Sequence, residues 1–179
     1  VERYDGDGTG DMPGLTLPIT YWEVFNEPDL KPPAQEPDGL QFYVGDSSDY
    51  AELLEKSHTA IKQADANARV VIAGAASGDD QHLDFYDELF SDTATHDYFD
   101  IANVHCISSA DVASFNTKPY AALLQKHGIN KPIWVTEAEA FVASDHTEIG
   151  TQLFQSTHNA FGNGAAKVFY TTMDFDRIP

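Results

Sequence analysis

Residues 21–28 read Tyr21-Trp22-Glu23-Val24-Phe25-Asn26-Glu27-Pro28, and residues 131–137 read Lys131-Pro132-Ile133-Trp134-Val135-Thr136-Glu137. Both are short apolar, β-rich runs that end in a carboxylate. An Asn-Glu-Pro turn closes the first, and Pro28 stops the ladder because its nitrogen has no hydrogen to donate. The first run extends back to residue 19, and three more runs of this kind cover 69–75, 100–106 and 167–172. Most lack clean polar alternation, which predicts strands buried on both faces.

Amphipathic helical patterns separate the runs. In the first, Asp49 is the expected cap with Glu52 three residues on, and Tyr50, Leu53, Leu54, Ile61 and Ala64 follow at helical spacing. The second carries Leu83, Tyr86, Leu89 and Phe90. The third starts near Thr117-Lys118-Pro119, presents Tyr120, Leu123 and Leu124, and stops at Gly128. The fourth repeats the cap logic in Asp145 and Glu148, carries Ile149, Leu153 and Ala160, and ends near Gly162.

The order βαβαβαβαβ predicts a parallel sheet with right-handed crossovers. The last three strand-to-strand steps are each roughly 30 residues, the size of one βα unit in an eight-fold barrel of about 250 residues. The first step is longer; its excess, over 28–47, is rich in Pro, Gly and Asp and reads as an enlarged loop on the rim where barrels carry their sites. The expected fold class is α/β: a partial (β/α)8 TIM barrel of about five parallel strands, with the first three βα units and the final helix absent. One domain spans 1–179.

Composition narrows the function. The chain has 179 residues, 42% hydrophobic and 12% aromatic, enough for one packed core and wrong for a disordered tail. Ten Lys and Arg stand against 29 Asp and Glu, a formal charge of −19. Such a surface repels phosphate backbones and anionic lipid, so nucleic-acid and membrane-surface roles drop out. No run reaches the roughly 18–20 apolar residues of a membrane span. A lone cysteine, Cys106, excludes an intrachain disulfide and a cysteine zinc cluster, and reads as a buried small hydrophobe. The start, Val1-Glu2-Arg3-Tyr4, has no signal-peptide pattern and reads like a helix end, so the compartment stays open.

If the first and fourth runs share one parallel sheet, Glu27 and Glu137 emerge on the same rim. Two carboxylates at one rim suit glycosidic-bond cleavage, one as proton donor to the leaving oxygen and one ionised to attack the anomeric carbon. A gap of about 5–5.5 Å implies a covalent intermediate and retention; about 6.5–9.5 Å implies inversion. Mutual repulsion and unequal burial would push their pKa values apart.

Trp-Glu-Val-Phe-Asn-Glu-Pro over 22–28, followed by Trp-Val-Thr-Glu over 134–137, resembles the retaining glycoside hydrolases of clan A. The resemblance implies a (β/α)8 barrel with the acid/base glutamate after strand four and the nucleophile after strand seven. By position, Glu27 resembles the acid/base, Glu137 the nucleophile, and Asn26 the asparagine that hydrogen-bonds the sugar 2-hydroxyl. The strand count agrees, since the two glutamates end the first and fourth visible runs. The implied substrate is a β-linked oligo- or polysaccharide, which favours an extracellular setting; no cofactor is implied. The strand-eight end departs from the pattern, reading Tyr170-Thr171-Thr172-Met173-Asp174-Phe175 without a tryptophan platform.

Other residues have weaker claims. Glu139 rivals Glu137, and Glu23 faces either the barrel interior or a basic partner. His105, at the end of the third run, is either a satisfied core histidine or a group that hydrogen-bonds the nucleophile or a sugar hydroxyl. Tyr170 and Phe175 are candidates for stacking on sugar, whereas Trp22 and Trp134 read as core. Asp5, Asp7, Thr9 and Asp11 place oxygens at alternate positions, as in a calcium loop, but position twelve is Thr16, so the loop is not an EF-hand. The remaining histidines show no zinc spacing.

Five strands leave two open edges, so the chain is expected to form a homo-oligomer, to pair with a missing N-terminal barrel half, or to fold loops over the edges. Two rival functions remain: a sugar-binding or assembly module without turnover, and an unrelated open α/β protein. The second lacks the Gly-rich loop that nucleotide binding needs.

Overall fold

The computed structural model describes residues 1–32, 39–107, 113–139 and 146–172, and excludes the side chains of 146–149 and 171–172. The expected cap Asp145 and the stacking candidate Phe175 lie outside the described residues. The strands are β1 (Tyr21–Val24), β2 (Arg69–Ile72), β3 (Ala102–Asn103), β4 (Ile133–Glu139) and β5 (Ala165–Thr172). Between them run α1 (Ser47–Ala64), α2 (Asp80–Ser91), α3 (Thr117–Lys126) and α4 (His146–Gly162). Short 3-10 turns occupy Glu2–Tyr4 and Thr93–Tyr98. All five expected runs form strands. No helix among the described residues is long and apolar enough to cross a membrane.

Every pairing is parallel. β1 pairs with β2, β3 with β4 and β4 with β5. Single parallel bridges, Val71 to Ile101 and Ala75 to Val104, join β2 to β3. Lateral order therefore follows chain order, with no reversal of the kind that defines the doubly wound sheet of the open α/β alternative. Among the described residues no strand pairs with the outer side of β1 or of β5.

Alternation assigns the two faces. Val24, Val70, Ile72, Ala102, Val104, Ile133 and Val135 share one core with Tyr50 and Leu54 of α1, Tyr86 and Phe90 of α2, and Tyr120 and Leu124 of α3. All the helices thus cover the same face. The opposite face holds a small cluster, Val71, Ile101 and Trp134. Tyr21 and Phe169 extend it from either side, with ring centroids 4.9 and 5.6 Å from Trp134. The Lys167 ammonium lies 4.2 Å from the Trp134 ring. Trp22 packs instead toward Tyr4. Each fully buried aromatic or leucine of the main core contributes on the order of 1.5–3 kcal/mol by burial.

Helix starts correct one expectation. α1 is capped by Asp46, not Asp49: the Asp46 carboxylate accepts the N–H groups of Ser48 and Asp49, and Asp49 accepts the N–H of Asp46. The box lies three residues earlier because Asp46 and Asp49 satisfy each other's orphan donors. α3 ends as expected, with Gly128 at φ +70 accepting a left-handed turn that a side chain would strain. Buried tyrosines finish β1 and β2. Tyr50 donates to the Val24 carbonyl and accepts the Ala73 N–H, both at 2.9 Å, and Tyr86 donates to the Ala73 carbonyl. Helix side chains thus take the backbone groups at the C-terminal ends of both strands, fixing those ends relative to each other.

Candidate active site

Glu27, His105 and Glu137 meet at the C-terminal ends of β1, β3 and β4. One ligand atom of each lies within 4.8 Å of the others. His105 is fully buried, and its Nδ1 lies 2.7 Å from Glu27 Oε1. Its Nε2 lies 3.1 Å from Thr136 Oγ1 and 3.9 Å from Glu23 Oε1, and Nδ1 lies 4.0 Å from Glu137 Oε2. Asn103 and Thr136 complete the network: Asn103 Nδ2 donates to Glu23 Oε1 at 2.8 Å, and Thr136 N–H donates to Asn103 Oδ1. Glu23, Asn103, His105 and Thr136 all project from the face opposite the helices, as strand alternation requires for Asn103 and His105 two residues apart.

The local backbone is unusual where β1 ends. Phe25 at φ +76 and Glu27 at φ +41 are left-handed without being glycine. Such residues persist only where their surroundings over-determine them, and they concentrate at functional sites. Asn26 sits half-buried between them, and the Leu30 N–H closes the turn onto the Glu27 carbonyl. After β3, the Asn116 side chain donates to the His105 carbonyl at 2.8 Å, tying that strand end to the start of α3.

Electrostatics follow from the crowding. Burial works against a charged His105 ring, but the surrounding carboxylates of Glu23, Glu27 and Glu137 outweigh it and push its pKa up to about 9. The ring is therefore an imidazolium at neutral pH, a fixed cation among three acids. Burial raises the Glu137 pKa, the charge of His105 opposes that, and Glu27, Glu23 and Glu139 add to the rise.

Gly74, just past β2, makes room for the His105 ring. A Cβ built there would lie 2.1 Å from His105 Nε2 and 2.2 Å from Cδ2. Both ring nitrogens are engaged, so the ring cannot move without losing Glu27 or Thr136. Gly74→Ala is expected to cost about 1–3 kcal/mol by overpacking and to return the His105 pKa toward 6.5. Thermal melts and the histidine NMR titration check both; an unchanged titration would show that the ring keeps its place.

The other candidates separate clearly. Glu137, not Glu139, belongs to the group with Glu27 and His105; Glu139 is half-buried beside Thr172 and acts on Glu137 through its charge. Tyr170 lies on the helix side, its hydroxyl 2.7 Å from Ser156 and 2.9 Å from Thr157 of α4, away from the glutamates. Alternation along β5 sends Lys167 and Phe169 to the site's face and Tyr170 to the core. Asp5, Asp7 and Asp11 converge, one carboxylate oxygen of each lying within 4.8 Å of the others. Their oxygens already accept loop N–H groups, from Gly6 and Gly8 to Asp11, Asp7 to Asp5, and Thr9 to Asp7. Among the described residues, Glu27, His105 and Glu137 are the second group whose donor atoms lie close enough together to hold a metal. Thr136, Asn103 and Gly74 carried no signal of their own; only the two-residue spacing of Asn103 and His105 pointed inward.

No protein-family model and no curated protein sequence matches the chain. Solved structures do. A glucosidase from Croceicoccus marinus superposes with TM-score 0.68 at 16% identity, over 94% of this chain and 35% of its own. A glycoside hydrolase family 44 endoglucanase from Clostridium acetobutylium gives TM-score 0.60 at 15% identity, over 94% of this chain and 44% of its own. SrfJ from Salmonella typhimurium gives 0.58 at 15% identity, over 86% and 33%. The chain thus spans a third to under half of the length of these three structures. It shares its α/β fold of parallel strands and helices with glycosidases.

Proposed function

We propose that the chain is the strand-four-to-eight portion of a (β/α)8 barrel, one domain over 1–179, from a retaining glycoside hydrolase acting on a β-linked oligo- or polysaccharide. The observation that carries the proposal is the approach of Glu27 and Glu137 carboxylate oxygens within 4.8 Å, contributed by strands three apart. Oxygens that near one another fall short of the wider spacing that leaves room for a water between the carboxyl groups, which supports double displacement. Glu27 protonates the leaving oxygen and then takes a proton from the incoming water. Glu137 forms the glycosyl-enzyme. Asn26 binds the 2-hydroxyl, and His105 holds Glu27. The chemistry needs no cofactor.

A second assignment has its own support. The imidazolium contacts Glu27 directly, and the raised pKa of Glu137 suits an acid. In that version the two glutamates exchange roles.

Aryl β-glycosides test the enzyme against the binding module. Glu27→Ala is expected to lower turnover of poor leaving groups by about 10²–10⁴-fold, the usual worth of a general acid. Sugar binding by the unaltered chain without any turnover would favour the module.

The sheet also implies a partner. Leu17 and Ile19, which lead into β1, and Tyr21 and Phe169, on the face opposite the helices, are exposed, and among the described residues no strand covers the outer side of β1. We propose that a second copy, or an N-terminal barrel half, pairs there. Sedimentation of the chain is expected to show a dimer, or capture of added N-terminal half; a monomer that takes up neither and exchanges the β1 amides freely overturns this.

A further inference from the structure

Two strained residues, Phe25 and Glu27, carry the chain out of β1, and something outside the turn must hold them. Besides the contact of Glu27 with His105, Asp29, two residues further on, anchors that turn through its side chain. Its side chain is wholly buried. Its Oδ2 accepts the Ala76 N–H at 3.0 Å and lies 2.8 Å from His82 Nδ1. His82 stands in the first turn of α2, fixed by its own N–H to Asp79. One oxygen therefore joins the turn after β1, the loop after β2 and the start of α2.

The loop after β2 is the one that contains Gly74, over whose backbone the His105 ring lies. Asp29 thus fixes both sides of the 2.7 Å contact between Glu27 and His105: the turn bearing the glutamate, and the backbone bounding the histidine. The other oxygen, Oδ1, is buried without a hydrogen-bond partner among the described residues. Folding a carboxylate into that position costs free energy that its bonds to Ala76 and His82 must offset.

We propose that Asp29 and His82 are positioning residues that hold the Glu27 carboxyl in line with the glycosidic oxygen. This rests on Glu27 acting as the acid/base. The carboxylate accepts Ala76 N–H and His82 Nδ1–H on one oxygen, and its charge makes both bonds stronger than a neutral acceptor would.

His82→Leu removes the donor, and His82→Asn supplies one at nearly the same place. Aryl β-glycosides of graded leaving-group ability separate positioning from general damage. A dinitrophenyl group leaves without a proton, whereas a phenyl group needs one. His82→Leu is expected to lower kcat about tenfold or more on the phenyl glycoside, with KM and dinitrophenyl turnover nearly unchanged, and His82→Asn to restore most of it. Equal loss on both substrates overturns the proposal. Amide exchange reads the same question without turnover. In Asp29→Ala and His82→Leu, the Leu30 and Ala76 amides are expected to exchange about tenfold faster or more while Leu54 in α1 is unaffected. Unchanged Leu30 and Ala76 rates overturn the proposal even if the chain hydrolyses nothing, a result that would count against the glycosidase assignment alone.

Discussion

Glu137→Ala is expected to lower turnover of aryl β-glycosides by about four orders of magnitude or more, the scale on which removing a covalent nucleophile acts. The side chain is half-buried within β4, and its removal leaves no buried charge unpaired, so the fold should survive. Added azide is then expected to restore activity by entering the vacated space and attacking the anomeric carbon. The product identifies the role. If Glu137 is the nucleophile, the glycosyl azide has the anomeric configuration opposite to the substrate. If Glu27 is the nucleophile, azide instead intercepts a glycosyl-enzyme formed on Glu27, and the product keeps the substrate's configuration. Retention in the Glu137 variant would therefore exchange the roles, and unimpaired turnover in it would remove Glu137 from the chemistry altogether.

Stability is expected to fall as pH rises from about 6.5 to about 9. The His105 pKa is raised in the folded chain. Below 6.5 the ring is protonated whether the chain is folded or not, and the attraction of Glu23, Glu27 and Glu137 is fully present. Above it the unfolded chain releases the proton while the folded chain still holds it, so the contribution shrinks and is gone once pH passes about 9. The displacement corresponds to about 3 kcal/mol. The raised Glu137 carboxyl acts in the same sense, in a window that opens lower, at its ordinary 4.5. Urea melts across pH 6–10 on the unaltered chain and on His105→Gln check this, the variant being expected to show a flatter profile. Parallel profiles would mean that the ring is not charged in the folded chain.

Local chemistry determined a good part of this protein in advance. Val70-Val71-Ile72-Ala73 and Ile133-Trp134-Val135 are short, apolar and rich in β-branched residues, which favours buried strands, and their alternation with helical patterns points to a parallel sheet. Glu27 and Glu137 were legible because each directly ends such a run, and parallel strands bring those ends to one rim. The capping of α1 was legible in kind but misplaced by one turn, because Asp46 and Asp49 are equally good caps and only their mutual hydrogen bonds choose.

The rest depended on which elements become neighbours. Asp29 reaches His82 across 53 positions, and Thr136 reaches Glu23 across 113, separations that no periodicity records. The cradle at Gly74 exists only because β3 brings His105 against it. Tyr170 fell on the helix side, and the irregular register between β4 and β5, shifted on both sides of Ala138, defeats any count of alternating residues near Glu137 and Glu139. Short-range propensity and pattern fix what each segment becomes and which way its alternate residues point. Lateral packing, set by shape and burial across the whole sheet, decides which of those residues touch, and contact is what makes a buried histidine a cation among acids.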